Sequence, residues 1–130
     1  MDPAAENWLR MADYDVGAAE SLLAANKTLY VVFSCHQACE KALKAMVANA
    51  SGTQPPRTHD LVVLSRQTGV PLPERFVPLL TYLNQSFMAV RYPMDIDQAM
   101  RSFPEEAVRP LVPETREVIK WSRSSLTSAT

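Results

Sequence analysis

Apolar residues in this chain recur every three or four positions over four long stretches, which are separated by polar turns, glycine or proline. That spacing places the apolar side chains on one face of an α-helix. We therefore predict long helices over about residues 3–25, 28–50, 76–91 and 104–124. The stretch 76–91 has the most regular apolar row, made of Phe76, Leu79, Leu80, Leu83, Phe87 and Val90.

Capping residues and glycine predict where the first three helices begin and end. Asp2 followed by proline suits the start of the first helix, and Thr28 is a candidate N-cap for the second. Thr58 is a candidate N-cap for a short third helix, which Gly69 would end in a left-handed conformation. The short connection between the first two helices implies that they pack as antiparallel neighbours.

Prolines determine the organisation of the second half of the chain. Pro93 ends the fourth helix, and we expect a loop from there through Asp97. Pro110 and Pro113 lie inside the last stretch, so that helix is expected to be kinked or broken. The pattern predicts a single all-α domain over residues 1–130, an up-and-down bundle of four long helices and one short helix.

The composition is that of an ordinary globular protein with little net charge. Hydrophobic residues make up 47% of the 130 residues, charged residues make up 21%, and the formal net charge is −1. Any polyanion would therefore have to be bound by a local patch, because the whole molecule exerts no strong attraction. No apolar run approaches the roughly 20 residues that span a bilayer, and the first residues lack signal-peptide features, so no membrane association is expected.

The predicted second helix carries an unusually dense polar face. Projected with helical periodicity, five hydrogen-bonding side chains lie opposite the apolar face: His36, Gln37, Glu40, Lys41 and Lys44. Such a face is either ordinary solvated surface of mixed charge or a binding surface.

The two cysteines, Cys35 and Cys39, lie one helical turn apart on the apolar face of the same helix. Side chains at that spacing diverge, so we expect free thiols, which suit a reducing cytoplasm. His36 points away from both thiols. Because a metal site needs convergent ligands, no metal is expected there.

Four segments spread over nearly the whole chain carry recognisable signatures. Trp8, Ala12 and Asp15 open the first predicted helix, and residues 37–45 follow the pattern QAxEKxLKA. Residues 58–61 read THDL, and residues 89–93 read AVRYP, close to ARYP. With these segments in this order, the chain resembles the HEPN family of small helical-bundle proteins.

The resemblance implies a five-helix bundle that often dimerises around its helix 2 and helix 4 faces. Some members of that family are metal-independent ribonucleases, often toxins, built on an Arg-x4-6-His motif near the end of helix 4. Other members partner a minimal nucleotidyltransferase protein or bind nucleotides. In this chain Arg91 matches the arginine, but residues 96–98 are Ile96, Asp97 and Gln98, so the motif lacks its histidine.

The missing histidine matters because of the chemistry of RNA cleavage. Without a metal, one group must deprotonate the 2′-hydroxyl and another must protonate the leaving oxygen. Histidine suits both roles near neutral pH, whereas arginine remains protonated. Catalysis would therefore require the fold or a dimer to bring His36 or His59 close to Arg91.

Several candidate residues also have a purely structural interpretation. Arg91 either binds a nucleotide phosphate through two parallel N–H donors of its guanidinium group or pairs with Glu40 at the end of its helix. Lys41 and Lys44 either add positive potential to a phosphate site or are plain solvated residues. His59 either belongs to a site or bonds to the backbone or to the second helix.

The aromatic candidates, Tyr30 and Tyr92, either stack on a base or pack in a core or interface.

We expect a helical module with little or no catalytic activity that forms a homodimer and partners a nucleotidyltransferase-type protein. It is expected to require no cofactor, and a nucleotide is its candidate ligand. The residues expected to hold a nucleotide or RNA phosphate are His36, Gln37, Glu40, Lys41, Lys44, Arg91 and Tyr92.

Two alternatives stay open at this point. The first is a toxin-type ribonuclease in which Arg91 works with a histidine from elsewhere in the fold, either His36 or His59. The second is a bundle whose polar second-helix face serves only as a dimer interface.

Overall fold

The computed structural model describes residues 1–52 and 54–128, and every regular element in that part of the chain is a helix. The α-helices are α1 Pro3–Ala24, α2 Thr28–Ser51, α3 Leu61–Gln67, α4 Val77–Arg91, α5 Ile96–Ser102, α6 Glu105–Val108 and α7 Leu111–Ser128, and a short 3-10 helix, Glu74–Phe76, precedes α4. The all-α prediction is confirmed, although the described residues contain three short α-helices and this 3-10 helix where one short helix was expected. None of the described helices is long and apolar enough to cross a membrane.

Helix α2 lies at the centre of the bundle. It packs most extensively against α1, and it also contacts α7, α4 and α3. The predicted apolar face of α2 is buried, namely Val31, Cys35, Ala38, Cys39, Ala42 and Met46. Both cysteines are free thiols, as predicted. Because other helices surround α2 on several sides, its polar face is also covered in part, and His36, Glu40 and Lys44 are buried.

The predicted N-cap is confirmed for α1 but not for α2. Asp2 caps α1, accepting a hydrogen bond from the backbone N–H of Ala4 at 2.7 Å. Thr28 is the first helical residue of α2 and not its N-cap, because Lys27 holds the N-cap position. The carbonyl of Lys27 already accepts a helical hydrogen bond, and no side chain caps this end. Gly52 ends α2 with a φ of 68°, a left-handed conformation that glycine adopts without strain.

The N-cap of α3 is Asp60, so the prediction of Thr58 is wrong. Asp60 Oδ1 accepts hydrogen bonds from the backbone N–H of Val62 at 2.9 Å and of the following residue at 3.2 Å. Asn84 of α4 donates to the same Oδ1 at 2.9 Å and accepts from the backbone N–H of Leu61 at 2.9 Å. These bonds tie the start of α3 to α4.

Replacing Asp60 by alanine is expected to lower the free energy of unfolding by about 1–2 kcal/mol, since the helix loses its cap. Asp60→Asn should cost only a few tenths of that, because asparagine caps equally well. Urea unfolding of the two variants measures the difference. Equal losses for both variants would contradict the capping role.

Helix α4 ends at Arg91, as predicted from Pro93. The expected loop through Asp97 is wrong, because the short helix α5 begins before that residue. Asp95 caps α5, and its Oδ1 accepts hydrogen bonds from the backbone N–H groups two and three residues later, at 3.0 and 3.3 Å. One well-placed aspartate therefore starts a helix directly after the proline turn.

The expected break in the last helical stretch is confirmed. Helix α6 ends at Val108, two residues interrupt the helical run, and α7 begins at Leu111. Pro113 lies in the first turn of α7, where the missing N–H of proline costs no intrahelical hydrogen bond.

Candidate functional site

Lys44 of α2 and His59 of the segment before α3 both contact the carboxylate of Glu40, a residue that is 4% exposed. Glu40 Oε2 accepts a hydrogen bond from Lys44 Nζ at 3.0 Å. Its other oxygen, Oε1, lies 2.9 Å from Nδ1 of His59 in the segment before α3. Both oxygens are thus engaged, which compensates for the burial of the charged carboxylate.

His36 is buried beside this carboxylate and stays neutral. Its ring meets Phe87 edge to face at a centroid distance of 4.9 Å. The backbone of His59 approaches the ring, yet neither ring nitrogen makes a hydrogen bond of normal geometry within the described residues. Burial lowers the pKa of His36 from 6.5 to about 4; Glu40 opposes this shift, and Arg91 adds to it.

The depressed pKa of His36 makes the stability of the protein sensitive to acid. Between pH 6.5 and about 4 the unfolded chain binds a proton at this ring that the folded chain does not. The free energy of unfolding should therefore fall by roughly 3 kcal/mol as the pH decreases across that window.

The control for this acid effect is His36→Leu, which removes the titrating group. It should lose less stability over the same window. At neutral pH it should be as stable as the original chain or more so, because an unsatisfied buried polar group costs about 1–3 kcal/mol. Urea unfolding at pH 7, 6 and 5 measures both effects, and parallel pH curves for the two proteins would contradict the assignment.

His59 differs from His36 in being open to solvent, with 59% of its side chain exposed. Its ring stacks on Phe87 at 5.4 Å between centroids, on the same aromatic side chain that His36 contacts. An ionised carboxylate can only accept, so Nδ1 of His59 donates to Glu40. His59 therefore bonds to the second helix, one of its two predicted structural roles, and in the neutral form of the ring Nε2 would be the basic nitrogen.

Arg91, the last residue of α4, also packs on the ring of Phe87. Its guanidinium carbon is 3.7 Å from the ring centroid of Phe87 and 4.3 Å from that of Phe33. Burial lowers the pKa of Arg91, and the Glu40 carboxylate opposes the shift. No ion pair between Arg91 and Glu40 forms within the described residues, and Arg91 Nη1 is buried without a hydrogen-bond partner there.

The remaining predicted site residues lie in different surroundings. Lys41 points towards α1, where its Nζ is 2.6 Å from Asp15 Oδ2, and Gln37 is half-buried. Lys44 is buried and lies 5.6 Å from the ring centroid of Trp8, in addition to its bond with Glu40. Tyr92 caps the end of α4 and is 70% exposed.

Two surface depressions lie beside Arg91 and Phe87. One, of about 260 Å³, lies between the start of α2 and the end of α4 and is lined by Arg91, Lys27, Tyr30 and neighbouring apolar residues. The other, of about 310 Å³, is lined by His59, Phe87, Asp60, Asn84 and Met88. No cluster of three or more histidine, cysteine, aspartate or glutamate side chains suited to a metal ion occurs in the described residues.

Phe87 is the residue that links the candidate site, and the sequence interpretation assigned it only to the core. It contacts both histidines and Arg91, which were predicted only as separate candidates. The available signal was the spacing of Phe87 and Arg91, one turn apart on α4, where a cation–π contact is favourable.

Comparisons with known proteins agree with this architecture. The model of the HEPN domain family matches residues 5–125. Among solved structures, TT1696 from Thermus thermophilus superposes with a TM-score of 0.78 at 21% identity, covering 92% of this chain and 96% of that one. ST0689, described as an archaeal HEPN homologue, gives 0.76 at 18% identity, covering 94% and 97%. At these identities the two structures show the shared fold alone. No protein of curated function matches the chain.

Proposed function

This chain belongs to the HEPN domain family, and we propose that it is a helical module that binds a phosphate group of a nucleotide or of RNA at Arg91. One observation carries the proposal: the guanidinium is stacked on Phe87 while its buried Nη1 has no partner in the described residues. A stacked guanidinium keeps its N–H edge available for bidentate hydrogen bonds to phosphate oxygens.

The depression of about 260 Å³ beside Arg91 supports this assignment. Lys27 lines it and adds a second positive charge, which favours an anionic group. Tyr30 also lines it and is 58% exposed, so its ring offers a face on which a base can stack. The volume lies just below the range of typical small-molecule pockets, so it suits a phosphate and sugar better than a whole enclosed nucleotide.

The polar residues of α2 have a supporting role in this proposal. Glu40 is fully engaged by Lys44 and His59, so its negative charge is largely offset where an anion would approach. Lys41 is engaged by Asp15 and contributes to the packing of α1 on α2. We therefore propose that Arg91, rather than Lys41 or Lys44, binds the phosphate group.

We propose the nucleotidyltransferase-type partner on the basis of family membership alone. A nucleotide-binding module and a protein that transfers nucleotidyl groups use the same class of ligand. Co-purification of this chain with a nucleotidyltransferase-type protein would test the proposed partnership directly.

A second candidate function, metal-independent RNA cleavage, is favoured by the position of His59. Its Nε2 can take the proton of a 2′-hydroxyl while the 2′-oxygen attacks phosphorus and the P–O5′ bond breaks. Arg91, on the same ring of Phe87, would stabilise the charge that develops on the phosphate oxygens. The leaving oxygen still needs a proton, and buried, neutral His36 cannot supply it. Binding without cleavage is therefore the leading proposal.

One experiment separates the two functions. The purified chain is mixed with ADP, with inorganic phosphate and with a short RNA, all in the presence of a metal chelator. Binding raises the unfolding temperature as ligand concentration exceeds the dissociation constant, and gel analysis of the RNA detects cleavage. The proposal predicts stabilisation with intact RNA. Cleavage that is lost in both Arg91→Ala and His59→Ala would establish the second function, and no stabilisation by any probe would contradict the first.

A further inference from the structure

The N-terminus of α2 has unpaired backbone donors. Its first two residues, Thr28 and Leu29, have N–H groups that make no hydrogen bond within the described residues, and no side chain caps the helix there. The next two residues, Tyr30 and Val31, both donate to the carbonyl of Lys27 at 3.1 Å. Because α2 is 24 residues long, the two unpaired N–H groups lie at the positive end of a long helix dipole.

The side chain of Thr28, at the same end of α2, is also without a partner. Thr28 is only 7% exposed, yet its hydroxyl makes no hydrogen bond in the part of the chain that the structure describes. Burying a hydroxyl is unfavourable unless it is hydrogen-bonded. Thr28 and Leu29 both line the depression of about 260 Å³ that Arg91 also lines. The hydroxyl and the two N–H groups are therefore placed to bind a molecule in that depression.

Positive side chains reach the same depression from two helices. Arg91 is the last residue of α4, and its buried Nη1 has no partner among the described residues. Lys27 lines the depression from the start of α2, and no acidic residue of the described ranges lines it. Hydrogen-bond donors from the end of α4 and from the start of α2 therefore meet in one space.

We propose that this depression binds a terminal phosphate, the phosphomonoester of a nucleotide or of an RNA end, in preference to a phosphodiester inside an RNA chain. The inference rests on the proposed phosphate site at Arg91 and names the class of phosphate. A phosphomonoester has three terminal oxygens and a charge of about −1.5 to −2 at pH 7, whereas a phosphodiester has two such oxygens and a single charge. Arg91 binds two oxygens, and the third accepts from Thr28 and the N–H groups of α2.

The test is isothermal titration calorimetry of the full chain with two RNAs, in the presence of a metal chelator. One RNA has six nucleotides and a 5′-phosphate, and the other has eight nucleotides and a 5′-hydroxyl. Their net charges are nearly equal, since two additional phosphodiesters offset the 5′-phosphate. We expect the phosphorylated RNA to bind at least about tenfold more tightly. AMP is titrated in parallel: affinity equal to that of the phosphorylated RNA makes a free nucleotide sufficient, and weaker binding identifies the RNA end.

Thr28→Val tests the contribution of α2, because it removes the hydroxyl and keeps the branched shape. It should lower the preference for the 5′-phosphate about fivefold, whereas Thr28→Ser, which keeps a hydroxyl, should retain most of it. The matched control is Thr81→Val, at an exposed threonine of α4 that does not line the depression. It should leave the preference unchanged. All three variants should unfold at similar temperatures, because Thr28 makes no hydrogen bond through its side chain in the described residues.

The failure of this inference can be distinguished from failure of the proposed function. Equal binding of the two RNAs, weakened for both by Arg91→Ala, would overturn the terminal-phosphate inference and leave the phosphate site at Arg91 in place. A preference for the 5′-phosphate that Thr28→Val does not change would place the terminal phosphate away from α2 and would overturn it as well. No binding of either RNA or of AMP would contradict the proposed function itself.

Discussion

Arg91→Ala is expected to weaken the binding of ADP about 30-fold, a loss of about 2 kcal/mol. The variant removes two charge-assisted hydrogen bonds to phosphate, and water replaces them only in part. Arg91→Lys should recover little of the affinity, because an ammonium group neither forms a bidentate pair nor stacks flat on Phe87 in the same way. Isothermal titration calorimetry measures the dissociation constants of the three proteins.

Arg75 provides the matched control for this variant. It is also an arginine stacked on a phenylalanine, with its guanidinium carbon 4.5 Å from the ring centroid of Phe76, but it lies before α4, away from the candidate site. Arg75→Ala therefore removes a comparable cation–π contact and should leave ADP binding unchanged. Equal losses of affinity in Arg75→Ala and Arg91→Ala would contradict a direct contact between Arg91 and the ligand.

Glu40→Ala is expected to lower the free energy of unfolding by about 3–5 kcal/mol, the largest effect on stability predicted for this chain. The change leaves the Lys44 ammonium buried without its carboxylate, and it also releases His59 from α2. Glu40→Gln should cost less, since its amide oxygen can still accept one of the two hydrogen bonds. Guanidinium unfolding provides the measurement.

The control for Glu40 is Glu20, whose carboxylate pairs with Arg116 on the surface with half of both side chains exposed. Glu20→Ala should cost at most about 1 kcal/mol, because exposed ion pairs contribute little. Lys44→Met in the Glu40→Ala background should restore part of the lost stability, since it removes the unpaired charge. A Glu40→Ala chain as stable as Glu20→Ala would show that the buried ion pair is dispensable.

The long helices could be predicted from sequence because apolar spacing, proline and glycine act locally. Helix α5 was missed for a physical reason. Its apolar residues, Ile96 and Met100, lie on the surface and do not extend the apolar row of the core, so they gave no pattern of burial. The N-caps of α2 and α3 were also misplaced. Both Thr58 and Asp60 are suitable capping residues by sequence, and in the structure Asp60 accepts the backbone hydrogen bonds and is held by Asn84 as well, whereas no side chain caps α2.

The candidate residues of α2 could be chosen from the sequence, whereas their arrangement and the contribution of Phe87 could not. A helical projection shows that His36, Glu40 and Lys44 share a face of α2 but does not show that this face is covered. The covering group, Phe87, comes from α4 and the segment before α3 supplies His59. Long-range packing therefore distinguishes buried, neutral His36 from exposed His59, although the two histidines look alike in sequence.

The most direct test of phosphate binding at Arg91 is nuclear magnetic resonance of the arginine side chains during a titration with ADP. The Nε–H signal of Arg91, assigned by its absence in Arg91→Lys, should shift in proportion to the bound fraction, while that of Arg75 stays in place. ADP that binds without moving the Arg91 signal would place the nucleotide elsewhere on the bundle and contradict the proposed site.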